Sequence, residues 1–151
     1  MHKTILPTLI ILAFASCKKE PAVSKTPETV AEKPTIEACY KGILKQDTIT
    51  MSLVIKDNLI TDGKLSYHFF EKDKNDGTLK GEIKGDTIYA DYTFMSEGQQ
   101  SVREVAFLKQ GDTYIEGYGD VKEYNGKMIF KDVRHLKFDS KTVLVKSACP
   151  Q

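Results

Sequence analysis

Between Cys39 and Cys149, apolar residues recur at every second position in short runs broken by turn-forming residues, and this period of two leaves the chain few folds to choose from. Ile49, Met51, Leu53 and Ile55 alternate with Thr48, Thr50, Ser52 and Val54. Leu65, Tyr67 and Phe69 repeat the pattern, as do Ile88, Ala90, Tyr92 and Phe94. Successive side chains of an extended strand point to opposite faces, so each run predicts a strand with one buried and one wet face. The runs are punctuated by Asp57-Asn58, Asn75-Asp76-Gly77, Lys84-Gly85-Asp86, Glu97-Gly98, Gln110-Gly111-Asp112, Asn125-Gly126 and Asp139-Ser140. Such residues accept positive φ in tight hairpins. Gly63, inside a longer run, predicts a bulge or bend instead. After Pro34 no segment carries a helical period.

A partial repeat supports the same grammar: "GDTIYADY" from Gly85 and "GDTYIEGY" from Gly111 share Gly, Asp, Thr and the final Tyr, each reading as a turn and an outgoing strand. A chain that returns to one geometry two hairpins later is expected to be a meander of neighbouring strands. About eight or nine such strands, with no helices to cover their faces, close most economically into an all-β, antiparallel up-and-down barrel of roughly eight strands, which removes its own edges. A two-sheet β-sandwich is the alternative; the short connections weigh against the Greek-key crossovers of such folds.

The N-terminus has a different composition. A bilayer-spanning helix needs about 20 apolar residues, and the uninterrupted run from Thr8 to Ala15 is far shorter. With His2 and Lys3 ahead of it and the small residues Ala13, Ala15 and Ser16 behind, it reads as a signal peptide over residues 1–16. The segment "AFASC" resembles the lipobox of bacterial lipoproteins, with Phe14 where the usual pattern has Leu. That resemblance implies that Cys17 becomes a lipidated N-terminus carrying acyl chains such as palmitate. Several chains on one cysteine hold a protein at a membrane where one holds it marginally. Residues 17–35 then form a tether, since Pro21, Pro27 and Pro34 among charged and small polar residues bury too little surface to offset ordering. Residues 36–151 are the barrel domain.

The chain carries 22 Lys and Arg against 21 Asp and Glu, and loss of Lys3 with the signal leaves the two signs equal. Nucleic acid is not an expected partner, because the basic footprint it needs is missing; no run of like charge marks a polybasic membrane patch either. Cys39 and Cys149 lie near the two ends of the domain, without the close spacing of metal ligands, and an oxidising compartment favours a disulfide between them.

Nothing in the sequence composes a catalytic set. His68 and His135 are the domain's only histidines, and a nucleophile needs a base and an orienting group converging on it. A structural zinc would want three or four ligands. No cofactor and no metal are expected, and the protein is read as non-enzymatic. His68, between Tyr67 and Phe69, is expected to face solvent. If Ile88, Ala90, Tyr92 and Phe94 point inward, the repeat places Tyr114, Glu116 and Tyr118 inward too; a bulge near Gly117 or Gly119 would instead turn Glu116 to water. A carboxylate among barrel-lining tyrosines must be paired or solvated. Arg103, one residue from Glu104 and so on the opposite face, could supply the pair, as a structural ion pair first and a ligand-recognition site second. An open mouth lined by Tyr67, Tyr92, Tyr114 and Tyr118 would admit a ligand, whereas a side-chain-filled barrel would favour a protein partner.

The signal, the lipobox-like cysteine, the tether and then "CYKGIL", "GKLSY", "GTLKGEIKGD" and "SEGQQSVREVAF" look like the small lipoproteins of Gram-negative bacteria whose barrels are lipocalin-like, or calycin-like. Most of those proteins have no assigned function. The resemblance implies an outer-membrane lipoprotein, at the periplasmic face or the cell surface, because Lys18 is not the aspartate that retains lipoproteins in the inner membrane. Its barrel would bind a small amphipathic ligand or an envelope protein. "SEGQQS" followed by "FLKQGD" is also similar to lipoprotein inhibitors of lysozyme, which makes inhibition of a lysozyme-like or other secreted enzyme the alternative, and a hydrolase a more distant one.

Overall fold

Period-two runs become strands because only an extended chain puts every second side chain on one face. The computed structural model describes residues 33–72 and 74–150. Its strands are β1 (Ile36–Leu44), β2 (Asp47–Lys56), β3 (Leu59–His68), β4 (Asn75–Lys84), β5 (Thr87–Ser96), β6 (Gln99–Gln110), β7 (Thr113–Gly117), β8 (Val121–Tyr124), β9 (Lys127–Phe130) and β10 (Val143–Ser147). A single 3-10 turn covers Val133–His135. The sheet order is β5-β4-β3-β2-β1-β10-β7-β6, and β5 pairs with β6, so eight antiparallel strands close on themselves. The protein is an all-β, eight-stranded barrel, a meander from β1 to β7.

The meander has one interruption. Between β7 and β10 the chain leaves the barrel to form the β8–β9 hairpin, which rejoins β6 through one parallel rung, Arg103 opposite Met128. Outer-face side chains hold it there: Lys127 pairs with Asp91 of β5, and the amide of Phe130 donates to Glu104 of β6 at 2.8 Å. The expectation of short connections throughout therefore stops at β7.

Most turn signals fall where they were expected. Asp57 and Asn58 both take positive φ, at 52° and 62°, as do Glu97 and Gly98, at 51° and 77°, the backbone of a two-residue hairpin loop. The pairing of β3 with its neighbours slips between Ile60 and Lys64, which puts a bulge at the stretch containing Gly63. Two expected turns are absent. Asn75-Asp76-Gly77 lies inside β4, and the β3–β4 connection comes earlier, where Glu71 takes φ 54°. Gly77 serves a close approach instead of a turn: a Cβ there would sit 2.3 Å from the Thr93 carbonyl oxygen. Asp139-Ser140 lies in the irregular stretch leading to β10.

The inward faces meet along the barrel axis and fill it. Met51, Leu53, Leu65, Leu79, Ile88, Tyr92, Phe107 and Leu144 are fully buried, from six different strands. Cys39 faces outward on β1 and is joined to Cys149 beyond β10, with 5.2 Å between their Cα atoms. The disulfide fastens the last strand to the first, where Cys39 stands opposite Ser147.

Candidate functional site

At the barrel end where β3, β5 and β7 finish and β6 begins, polar groups stand on the inward face. Tyr67 on β3, Tyr92 and Phe94 on β5, Arg103 on β6 and Glu116 on β7 have the parity of the buried Leu65, Ala90, Val105 and Tyr114 on the same strands. Tyr92 is directly opposite Arg103 in the β5–β6 register, so the ring and the guanidinium are cross-strand neighbours.

Glu116 is inside, 4% exposed, as the repeat with "GDTIYADY" predicts and not as a register-shifting bulge would have it. Its carboxylate is satisfied by phenols. The Tyr67 hydroxyl donates to Oε1 at 2.6 Å and the Tyr118 hydroxyl to Oε2 at 2.8 Å. Because β3 and β7 are not adjacent, the Tyr67 bond crosses the barrel interior as a strut. Burial raises the Glu116 pKa above its ordinary value, while the two hydroxyls and the positive charge of Arg103 pull it back down. Burial, and then the Glu116 charge, push the Tyr67 phenol well up.

The expected ion pair between Arg103 and Glu116 does not form. Phe107, not Arg103, is opposite Glu116 in the β6–β7 register, which sets Arg103 four residues further along β6. Its guanidinium is held by rings instead: Cζ is 5.1 Å from the Tyr67 centroid, 5.4 Å from Tyr92 and 5.6 Å from Phe94. Three aromatic faces around one cation form a cage. Tyr92 and Phe94 stack at 4.8 Å, and the Tyr92 hydroxyl is fixed on the Asn75 carbonyl oxygen at 2.9 Å. Nε of Arg103 is buried and meets no acceptor among the described residues.

The structure thus brings together five of the six residues expected to line a mouth, Tyr67, Tyr92, Arg103, Glu116 and Tyr118. It leaves out Tyr114, whose ring packs edge-on against Tyr40 at 4.9 Å, toward the opposite end. Two further expectations are corrected. Tyr67, Tyr92 and Tyr114 are buried, so they do not line an open mouth. Tyr118 is not inward but 50% exposed, because β7 ends at Gly117 and Tyr118 bridges to Lys137 of the returning chain; only its hydroxyl reaches back to Glu116. Phe94, the third wall of the cage, was legible as an inward position but carried no chemical signal. Gly117, Gly119, Val121 and Phe130 join Arg103 and Glu116 around a cleft of about 120 Å³; no sequence pattern ties the excursion to β6.

Elsewhere, His68 is half-exposed and lies 3.3 Å from Asp76, and His135 lies 3.0 Å from Asp132 on the surface. Among the described residues no three His, Cys, Asp or Glu side chains converge as a metal site would need. Cys17 lies outside the described residues. The chain matches no family model, no curated protein and no solved structure.

Proposed function

We propose that the protein is a non-enzymatic, lipid-anchored envelope protein of the outer membrane, and that its barrel binds another envelope protein on its outside instead of a small amphipathic molecule within. The observation that carries this reading is the filled axis. An amphipathic ligand needs a largely apolar chamber of about 300 Å³ or more, and here Met51, Leu65, Leu79, Tyr92 and Phe107 occupy that space. The strut from Tyr67 to Glu116 and the caged Arg103 close the axis at one end.

That same end offers a surface suited to a protein. Phe69, Phe70 and Met95 are exposed there, beside Lys72 and Lys74. Aromatic side chains and methionine are the types enriched where proteins meet. The chain enters β1 at the opposite end. The anchor rests on the resemblance of "AFASC" to a lipobox; labelling with a fatty-acid analogue should mark the wild type and not Cys17→Ala.

The binding reading is tested by native mass measurement on protein isolated from its own envelope under mild conditions. A stoichiometric polypeptide partner, lost in Phe70→Ser and Met95→Ser, is the expected result. A stoichiometric small molecule that survives those changes would overturn it.

A further inference from the structure

Arg103 presents an imbalance that the rest of the fold does not resolve. It brings the permanent charge of a guanidinium to the barrel wall, and buried or half-buried cations are ordinarily paired. Among the described residues, no carboxylate lies within ion-pair distance of it, and its buried Nε meets no acceptor. Glu116, the nearest inward acid, already receives a hydroxyl on each oxygen. The rings of Tyr67, Tyr92 and Phe94 pack around the guanidinium, and ring faces accept none of its N–H donors as an anion would, so the buried Nε–H is left over.

The cleft between Arg103 and Glu116 is where such a group would sit. Its volume of about 120 Å³ accommodates several waters, hence a planar group of a few heavy atoms and not a sugar phosphate or an acyl chain. Val105, Val121 and Phe130 give it apolar walls suited to the carbon attached to such a group, and the Glu104 carboxylate, which also lines it, is engaged by the Phe130 amide at 2.8 Å.

We propose that this cleft is a carboxylate-binding site, in which the Arg103 guanidinium takes the carboxylate of a small organic acid or of a peptide C-terminus. A carboxylate has the two coplanar oxygens that match the guanidinium fork, and bidentate pairs of this kind are the strong, geometrically selective ones. The apolar walls and the aromatic cage lower the local dielectric, which strengthens the pair relative to one in open water. The site stands whether or not the exposed aromatic end meets a protein, since it depends on none of Phe69, Phe70 or Met95.

Arg103 and Arg134 are the chain's two arginines, so their Nε–H resonances can be told apart in the intact protein by NMR, with Arg103→Lys removing one. Titrated with sodium acetate at constant ionic strength, the Arg103 resonance should move saturably. Acetamide, which has the same shape without the charge, and sodium chloride should leave it in place. In Arg103→Lys the acetate affinity, followed on the backbone amides of Gly117 and Gly119, should fall at least tenfold. The tripeptide Ala-Ala-Ala against its C-terminal amide separates the sources: acid bound tenfold tighter than acetate, with the amide silent, identifies a peptide C-terminus, and equal affinity identifies a free acid. The proposal is overturned if acetamide or chloride reproduces the acetate shift, or if acetate moves only Arg134. The wild-type arms decide this even if Arg103→Lys fails to fold.

Discussion

Inside this barrel Glu116 is kept by two phenols, and the cost of burying it is visible in the direction of its pKa. If Tyr67→Phe removes the 2.6 Å donor, one carboxylate oxygen is left unpaired in the interior, and the expected loss is about 1–3 kcal/mol. A double-mutant cycle with Glu116→Gln by urea denaturation should give a coupling above about 0.5 kcal/mol; additivity would show that the strut contributes nothing. The pH dependence follows from the same burial. With its folded pKa raised, Glu116 holds a proton in the folded chain at pH values where the unfolded chain has released it. Its contribution to stability is therefore greatest below the ordinary carboxylate value and is lost as pH rises through the folded value. The stability difference between wild type and Glu116→Gln should shift against the wild type as pH increases from about 4 to 7. Parallel profiles would mean that the carboxylate titrates alike in both states.

Among the elements, β4 shows how a strand is shaped by what it lacks. Gly77 and Gly81 face inward on either side of the fully buried Leu79, and they allow β4 to close against β5. A Cβ at position 81 would lie 2.1 Å from the Tyr89 carbonyl oxygen, a backbone atom that cannot move without shifting β5. Gly81→Ala should therefore cost at least the 1–3 kcal/mol or so typical of overpacking, read as a lower urea midpoint. A midpoint unchanged from wild type would show that β5 yields freely. The β8–β9 hairpin is shaped differently: of its residues only Phe130 is buried, and side-chain bonds from Asp91 and Glu104 hold it to the wall. That placement makes it one side of the Arg103 cleft.

For the molecule as a whole, closure depends on β10 lying between β1 and β7, and the Cys39–Cys149 disulfide ties the chain end to that seam. The two cysteines are 110 residues apart, and in the loop-entropy model a closed loop of that size contributes about 4–5 kcal/mol. Reduction should lower the melting temperature of the purified protein by about ten degrees or more, at roughly 4 °C for each kcal/mol. The far-ultraviolet strand signal at 25 °C should persist, because the inward faces and not the bridge carry the core. Two free thiols in the native protein before reductant is added would remove the bridge from this account.

Strand parity was readable in the sequence, because period-two alternation is a local consequence of extended backbone and survives without knowledge of neighbours; for Glu116 it left two alternatives, inside by the repeat or turned to water by a bulge, and the structure decided for the first. Cys39 and Cys149 could be paired on their positions alone, since two thiols at opposite ends of a domain, without the close spacing of metal ligands, leave few partners. Register could not be read. Phe107 instead of Arg103 faces Glu116, and β4 starts where Asn75-Asp76-Gly77 looked like a turn, because both depend on which residue of a neighbouring strand lies opposite. The long excursion after Gly117 carries Tyr118 out of the barrel and returns only its hydroxyl, a result of chain path that no local pattern encodes. Alternation along each strand told which side chains enter the barrel; closure of the sheet, which joins strands far apart in the chain, decided which of them meet across its axis.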